Sequence, residues 1–325
     1  DVDRELERVM RPRRRRLPVL LGRVAAVLLP LLLGGTAIYV MYSKNNASLK
    51  NVISLHDVEP GTLEAVLVTS DGTLRELQTA GNHINEKDGS KIMVDSARLN
   101  YQDNRPESVR ELIYNKLLVG RGHEYMLILN DGTRVWMNSK SELSYPVAFG
   151  ENVRRVRLSG EAYFEVTKDP KRPFLVEMEG VEVRVYGTSF NINTHQKGNI
   201  QTVLVKGSIG VKVLASGMES VITPGQMAEF KQGNAKVDVK DVNVAVYTDW
   251  KDGIFRFENQ RLEDILTVLS NWYDVDVFYQ TVSVKELHFS GYMERYKDVS
   301  VILEAITLST GVTFSVQGKT IIVSK

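Results

Sequence analysis

A run of 19 uncharged residues near the start of the chain constrains its fold more than any other feature. Residues 24–42, VAAVLLPLLLGGTAIYVMY, are long enough to cross a bilayer as one helix. A cluster of arginines precedes the run, and few basic residues follow it closely; the cluster is Arg13, Arg14, Arg15 and Arg16. Because basic residues stay on the cytoplasmic side, we predict a cytoplasmic segment 1–23, a transmembrane helix 24–42, and a periplasmic remainder.

Two other interpretations of this run are open. A cleaved signal peptide would have a shorter apolar stretch that ends in small residues around a cleavage site. A buried helix of a soluble protein is not expected directly behind an arginine cluster. The pattern favours a membrane anchor. The chain begins at Asp1, with only one or two helical turns before the arginines, so we also expect a preceding segment.

Charge and composition exclude several classes of protein. The 325-residue chain has a net charge of +1, and residues 1–42 carry eight arginines against four acidic residues. The remainder is therefore slightly acidic and offers no basic surface for nucleic acid. The chain contains no cysteine, which excludes disulfides and cysteine metal clusters.

The chain from residue 43 to about 249 is typical of short strands joined by tight turns. After a polar linker, Asp-Gly-Thr occurs at Asp71 and Asp131, in both places between two apolar stretches. Asp-Gly favours the positive φ of a tight turn, whereas a calcium loop would need several more oxygen ligands. We predict a β-solenoid or sandwich-like stack, with a periplasmic linker and N-terminal β region at 43–122 and a β domain at 123–249.

The segment 158–166, LSGEAYFEV, contains two carboxylates that could suggest an acid/base pair. Its residues alternate between apolar and polar, which predicts one half-buried strand with Glu161 and Glu165 on the polar face. At about 3.3 Å per residue, these carboxylates lie roughly 13 Å apart. Paired glycosidase carboxylates lie about 5–9.5 Å apart, so the spacing favours a structural strand.

Residues 250–325 have a different pattern of apolar and polar residues, which predicts two βαβ units. Asn259 is the expected N-cap of the first helix, and Asp298 and Gly311 are the expected ends of the second. The first helix carries an apolar stripe that either packs in the core or forms a partner-binding face; its residues are Leu262, Ile265, Leu266 and Leu269.

No motif in the sequence indicates catalysis. The five histidines are dispersed, and there is no phosphate-binding loop, nucleophile elbow or zinc motif, so we expect no enzyme activity, metal or cofactor. One peptide bond is of interest, because Thr188 follows Gly187 in VYGTSFNI. A threonine hydroxyl in a strained turn could attack the preceding carbonyl and nick the chain. The alternative is an ordinary turn between two strands.

Several motifs come in an order that resembles a known family. They are LILNDGTRVWMNSKSELSYPVAF (127–149), VRLSGEAYFEVTKDPKRPFLV (156–176), VYGTSFNI (185–192), LVKGSIGV (204–211) and PGQMAEF (224–230). As an ordered set, they closely resemble the FecR family of transmembrane anti-sigma regulators in its Bacteroidetes form. The segment WKDGIFRFENQRLEDIL (250–266) resembles the domain that follows, which is similar to the secretin/TonB N-terminal (STN) domain.

This resemblance implies a fold, a location and partners. It implies a single-pass inner-membrane protein with a FecR β domain and an STN-like domain of two βαβ units in the periplasm. The cytoplasmic end would bind an extracytoplasmic-function (ECF) sigma factor, of which segment 1–23 resembles only the last part of the binding region. The periplasmic end would contact the signalling domain of a TonB-dependent outer-membrane transporter, and envelope proteases would cut the regulator.

A second class of function is also open. The chain could be a membrane-anchored glycan-binding or envelope-assembly protein, with Trp136, Trp250 and Trp272 stacking on sugars. Trp250 and Trp272 flank the predicted βαβ core, and this position favours a packing role for both.

Overall fold

The computed structural model describes residues 58–77, 82–86, 90–95, 98–102 and 112–325. The predicted anchor 24–42 and the arginine cluster lie outside these ranges. In the ranges that are described, no helix has both the length and the apolar character needed to cross a bilayer.

Two β-sheets contain all described strands before residue 242. The larger, sheet I, has eleven described strands: β1 Thr62–Leu63, β4 Asn82–Asn85, β5 Lys91–Asp95, β6 Arg98–Gln102, β8 His123–Ile128, β9 Arg134–Met137, β12 Glu161–Glu165, β15 Ser189–Asn193, β16 Asn199–Lys206, β19 Gln226–Lys231 and β20 Asp238–Asp241. The smaller, sheet II, has nine: β2 Val66–Val68, β3 Leu74–Glu76, β7 Tyr114–Val119, β10 Ser141–Pro146, β11 Arg154–Ser159, β13 Phe174–Met178, β14 Val181–Val185, β17 Ile209–Val213 and β18 Glu219–Ile222.

The chain alternates between the two sheets. Hairpin β8–β9 lies in sheet I, β10–β11 in sheet II, β15–β16 in sheet I and β17–β18 in sheet II. From β4 onward in sheet I and from β7 onward in sheet II, each crossing adds strands next to those already laid down, so both sheets grow in one direction along the chain. The prediction of a mainly β chain with an α+β C-terminal region is confirmed.

One hydrophobic core fills the space between the sheets. The ring of Phe164 on β12 lies 6.2 Å from that of Phe174 on β13, so the aromatic packing bridges the two layers. The same cluster includes Leu67, Ile92 and Leu99. The sheets and their core therefore continue through residue 122, where the sequence suggested a change from an N-terminal region to a separate β domain.

The predicted single strand 158–166 is in fact two strands in different sheets. β11 ends at Ser159, and β12 begins at Glu161. Between them, Gly160 has a φ of 101°, a left-handed conformation that allows the chain to turn from sheet II into sheet I. The alternation of residues continues through the corner because each strand keeps its own inward face, so periodicity does not reveal the break.

The Asp-Gly-Thr segments form the predicted turns. Gly72 and Gly132 have φ of 82° and 81°. Asp71 Oδ1 accepts a hydrogen bond from the Thr73 amide, and Asp131 Oδ1 accepts one from the Thr133 amide. Their carboxylates therefore stabilise turns, as expected.

The C-terminal region contains strands and helices in the predicted order. Its elements are α1 Ala245–Thr248, a 3₁₀ turn Asp249–Asp252, β21 Ile254–Arg261, α2 Leu262–Trp272, β22 Asp276–Tyr279, a 3₁₀ turn Val282–Glu286, β23 His288–Glu294, α3 Val299–Thr310, β24 Thr313–Gln317 and β25 Thr320–Ser324. The pairing differs from two βαβ units, because β21 pairs with β23, and β22 joins β25 and β24 in a second sheet. Local periodicity assigns each element, but contacts between distant residues decide which strands pair.

One of the two predicted helix N-caps is wrong. Asn259 lies at a bulge in β21 with a φ of 46°, and the N-cap of α2 is Arg261, without a side-chain hydrogen bond. Asp298 does cap α3, since its Oδ1 accepts from the Ser300 amide at 2.7 Å, and Gly311 ends that helix in a left-handed conformation.

We predict that Gly160→Ala destabilises the sandwich. A Cβ at this position would lie 2.6 Å from Ser141 Cα and 2.7 Å from the Lys140 carbonyl oxygen, and an alanine would be strained at this φ. The free energy of unfolding should fall by about 2 kcal/mol or more, as measured by urea denaturation with circular dichroism. Gly150→Ala is the matched control, because a Cβ there meets no atom within 4 Å. Equal effects of the two changes would contradict this role of Gly160.

Candidate functional site at the domain interface

The outer face of sheet I near β12 is covered by the C-terminal region. The ring of Tyr163 on β12 lies against Trp136 with 5.7 Å between centroids, and Lys251 lies over Tyr163 at 5.0 Å. Tyr163 is only 4% exposed, although it points away from the core between the sheets. The polar face predicted for this strand is therefore a domain interface.

Arg295, which directly follows β23, is the central residue of that interface. Its side chain is 1% exposed, and its Nη2 donates to Asn138 Oδ1 and lies 3.2 Å from Glu124 Oε2. The guanidinium lies 3.8 Å from the ring centroid of Trp272, so a cation stacks on the indole face. Trp272 in turn donates from Nε1 to the Arg295 carbonyl oxygen at 2.8 Å.

Burial shifts the titration of both charged partners. It lowers the pKa of the Arg295 guanidinium, while the nearby carboxylate of Glu124 acts in the opposite direction. It raises the pKa of Glu124, against the lowering effects of Arg295 and of the Tyr296 hydroxyl, which donates to Glu124 Oε1. The ion pair thus compensates part of a large desolvation cost, and loss of either member would leave an unpaired buried charge.

A network of amides beside Arg295 contains Glu161. The carboxylate accepts from Asn138 Nδ2 at 2.7 Å and from Asn191 Nδ2 at 3.0 Å. Asn191 Oδ1 accepts from Trp250 Nε1 at 3.3 Å, which connects sheet I to the C-terminal region. Glu161 is buried here and not exposed as the strand pattern suggested. Glu165 instead pairs with Arg134 at 2.7 Å, so the two glutamates serve separate structural roles.

A second contact joins the turn between β7 and β8 to the C-terminal end of helix α2. Gly122 donates its amide to the Asn271 carbonyl oxygen at 2.7 Å. Arg121 donates to the Ser270 carbonyl oxygen at 3.1 Å and to Asp276 Oδ1 at 2.9 Å. A cation at this end of a helix satisfies free carbonyl groups and complements the helix dipole.

The apolar stripe on α2, one alternative for which was a partner-binding face, is buried. Its four residues, Leu262, Ile265, Leu266 and Leu269, are all 0% exposed. The stripe therefore forms the core of the C-terminal region and cannot contact another protein in this structure. The packing role expected for Trp250 and Trp272 is confirmed, since they are 8% and 1% exposed.

The Gly187–Thr188 bond lies in the connection between β14 and β15. Thr188 is 5% exposed, and its Oγ1 donates to the Ser208 carbonyl oxygen at 3.2 Å. Gly187 has a φ of 148° and packs against the Lys168 backbone. The bond thus joins a left-handed, half-buried glycine to a buried threonine.

Sequence reasoning missed the residues that build the interface. The segment VGRGHE contains Arg121, Gly122 and Glu124, but it resembles only an incomplete glycine-rich motif. In the sequence, nothing distinguishes Arg295 from a surface arginine, because its aromatic neighbours come from distant segments of the chain. Among the described residues, no group of three or more histidine or acidic side chains is placed to hold a metal ion.

We predict that Arg295→Met weakens the docking of the C-terminal region. The change leaves Glu124 buried without its cation, and breaking a buried pair in this way costs about 3–5 kcal/mol. Urea denaturation followed by tryptophan fluorescence measures the loss, because Trp250 and Trp272 lie in the interface. Adding Glu124→Gln should recover at least about 1 kcal/mol, since it removes the unpaired charge.

Arg157→Met is the control for that experiment. Arg157 pairs with Glu177 at 3.3 Å, but its side chain is 75% exposed, so its removal should change the unfolding free energy little. An effect of Arg295→Met no larger than that of Arg157→Met would show that the buried pair does not hold the interface.

Comparisons with known proteins agree with this two-part architecture. The family model for the FecR protein matches residues 115–210, and the model for the FecR C-terminal domain matches residues 254–323. Together they span about half of the chain. No curated protein matches the chain in sequence.

Two crystal structures of a proposed anti-sigma factor from Parabacteroides distasonis ATCC 8503, at 1.65 and 2.50 Å resolution, have a similar fold. Each matches with a TM-score of 0.60 and 24% sequence identity, over 65% and 66% of this chain and 98% and 99% of the other. The two family models together show that the chain belongs to the FecR family, which confirms the resemblance seen in its motifs.

Proposed function

We propose that this protein is an anti-sigma regulator that relays a signal from an outer-membrane TonB-dependent transporter to a cytoplasmic ECF sigma factor. The observation that carries this proposal is the tandem of FecR and FecR C-terminal matches on one chain. The proposed anti-sigma role of the similar Parabacteroides protein supports it.

The topology of this proposal follows from the N-terminal sequence. Residues 24–42 would span the inner membrane once, with the arginines at 13–16 in the cytoplasm. Segment 1–23 and any residues before it would face the sigma factor, while the sandwich and the C-terminal region would lie in the periplasm. Envelope proteases would then release the cytoplasmic part.

The domain interface gives the relay a physical basis. Arg295 and Arg121 fix the C-terminal region to sheet I at two separate places. A partner that pulls or tilts the C-terminal region would therefore act on strands β8 and β9 directly. Because packed interfaces have discrete arrangements, such a displacement would reach the sandwich as a change of state and not as a gradual bend.

The free edge of β22 is the proposed contact with the transporter. β22 pairs with β25 on one side, and no other described strand pairs with its second edge. Phe278 on this strand is 57% exposed, and Val282 just after it is 71% exposed. Apolar edge strands of this kind accept a partner strand by β-augmentation, and the exposed side chains add specificity.

We predict that Phe278→Glu weakens binding of the transporter's signalling domain. The experiment titrates the full chain with the signalling domain of the TonB-dependent transporter encoded beside it. Saturable one-to-one binding should weaken at least about tenfold, because a charge replaces an exposed apolar anchor. Leu308→Glu is the matched control, since Leu308 is 90% exposed but lies on helix α3.

The outcomes of this titration separate the parts of the proposal. Binding that is lost on deletion of residues 250–325 but unaffected by Phe278→Glu would move the contact to another surface of the C-terminal region. Failure of the intact chain to bind at high micromolar concentration would contradict the transporter relay itself.

We also propose that the Gly187–Thr188 bond can undergo an N-to-O acyl shift. The Thr188 hydroxyl oxygen would bond to the Gly187 carbonyl carbon as the C–N bond breaks, and the hydroxyl proton would pass to the freed amine. Water would then hydrolyse the ester and leave two chains, which would remain associated because strands on both sides of the bond belong to the same sheets.

Thr188→Val should keep the chain intact, because valine has the same branched shape but no hydroxyl. Mass spectrometry under denaturing conditions should show a fragment ending at Gly187 for the unchanged protein and for Thr188→Ser, which retains the nucleophile. A single intact mass for the unchanged protein after long incubation would contradict the shift, as would the same fragment from Thr188→Val.

A further inference from the structure

A polar cleft of about 380 Å³ lies between sheet I and the C-terminal region. The wall on the side of sheet I includes Asn193, His195 and Asn199, and the opposite wall includes Thr267 and Asn271 of helix α2. Gln196 crosses the cleft and donates from Nε2 to Asp264 Oδ1 at 3.2 Å. The volume is at the lower end of the range for ligand sites, about 300–1,000 Å³, and suits a ligand of one or two rings.

Two residues of the cleft have buried polar atoms without a protein partner. Within the described residues, Arg295 Nε and Nη1 donate to no acceptor, and Asn199 Oδ1 accepts from no donor. The stacking of Arg295 on Trp272 does not satisfy these N–H groups, because they lie in the guanidinium plane while the indole covers its face. Buried polar groups are normally hydrogen-bonded, and the protein alone leaves these three atoms beside the cleft unsatisfied.

The charges in the cleft select an uncharged ligand. Glu161 is bonded to two asparagines, and Asp264 accepts from Gln196. Arg261 is paired with Glu263 and Glu286. Burial lowers the pKa of His195, which leaves a neutral imidazole able to donate and to accept. Each formal charge in the cleft thus has a partner within the protein.

The residues that line the cleft also favour a saccharide over a peptide as its ligand. Protein partners are held mainly by buried aromatic or arginine anchors in apolar pockets, whereas eight of the twenty residues that line this cleft are asparagine or glutamine. An amide offers one acceptor and two donors, and a sugar hydroxyl can both donate and accept. Such a lining matches a ring that carries several hydroxyl groups.

We propose that this cleft binds a neutral saccharide of one or two rings, with amide side chains of its two walls, such as Asn193 and Asn271, donating to and accepting from the hydroxyl groups. This goes beyond the relay of a transporter signal and does not depend on it. A periplasmic sugar would be a second signal for this protein, and it would bind where the two domains are in contact.

Calorimetric titration of the full chain, in a detergent without a sugar headgroup, tests the proposal. The probes are maltose, cellobiose, mannobiose and N,N′-diacetylchitobiose, with acetyl-trialanine amide and citrate as peptide and anion comparisons. At least one saccharide should bind saturably with a Kd of about 1 mM or lower. Thr267→Trp should weaken that binding at least about tenfold, because Thr267 is exposed at the cleft and an indole there would block it.

Two further variants keep this test independent of folding. Ser309→Trp, on an exposed position of helix α3, should bind as the unchanged protein does. Asn271→Ala removes an amide from the cleft wall without filling the cleft, and should also weaken binding. The proposal is overturned if no saccharide binds up to about 10 mM, if Thr267→Trp binds normally, or if the peptide or citrate binds more tightly than every saccharide.

Discussion

The guanidinium of Arg295 is buried between two folded layers, and the relation of those layers depends on how its charge is compensated. Transfer of this cation from water is costly, and the single carboxylate of Glu124 repays only part of that cost. The remaining stabilisation comes from the Trp272 ring and from Asn138. These groups come from sheet I and from helix α2, so they meet only when the C-terminal region is seated correctly. The arginine therefore specifies the docked arrangement more than it adds stability.

The C-terminal region must dock on sheet I to compensate the charge of Arg295, and this docking explains why sheet I is buried on both faces near β12. Phe164 points into the core between the sheets, while Tyr163 and Glu161 point into the domain interface. A strand with one solvent-exposed face would tolerate many different polar residues on that face. Here the outward residues must satisfy defined partners, which is why a glutamate lies between two asparagines and a tyrosine lies under a lysine. The fold uses a surface of the sandwich as part of the recognition between its own domains.

The structure also separates what local sequence signals can predict from what they cannot. Asp298, Gly311 and the Asp-Gly turns were predictable, because each signal acts within a few residues of the chain. The helix α2 and its apolar stripe were also predictable from periodicity. The corner at Gly160, the pairing of β21 with β23 and the partners of Arg295 were not. Each of these depends on residues far apart in sequence. The alternation of apolar and polar residues is the same whether a strand continues or turns into another sheet.

The interface and the polar cleft share Asn138, Trp272 and Arg295, and this overlap couples the two proposed functions of the surface. A ligand that hydrogen-bonds to both walls of the cleft would strengthen the docked arrangement, because the two walls face each other only while the domains are together. By thermodynamic linkage, a partner that loosens the C-terminal region would weaken ligand binding by the same free energy. A saccharide in the cleft would thus oppose the movement that the transporter's signalling domain induces. The same buried cation would then set both the resting state of the regulator and the threshold at which a signal moves it.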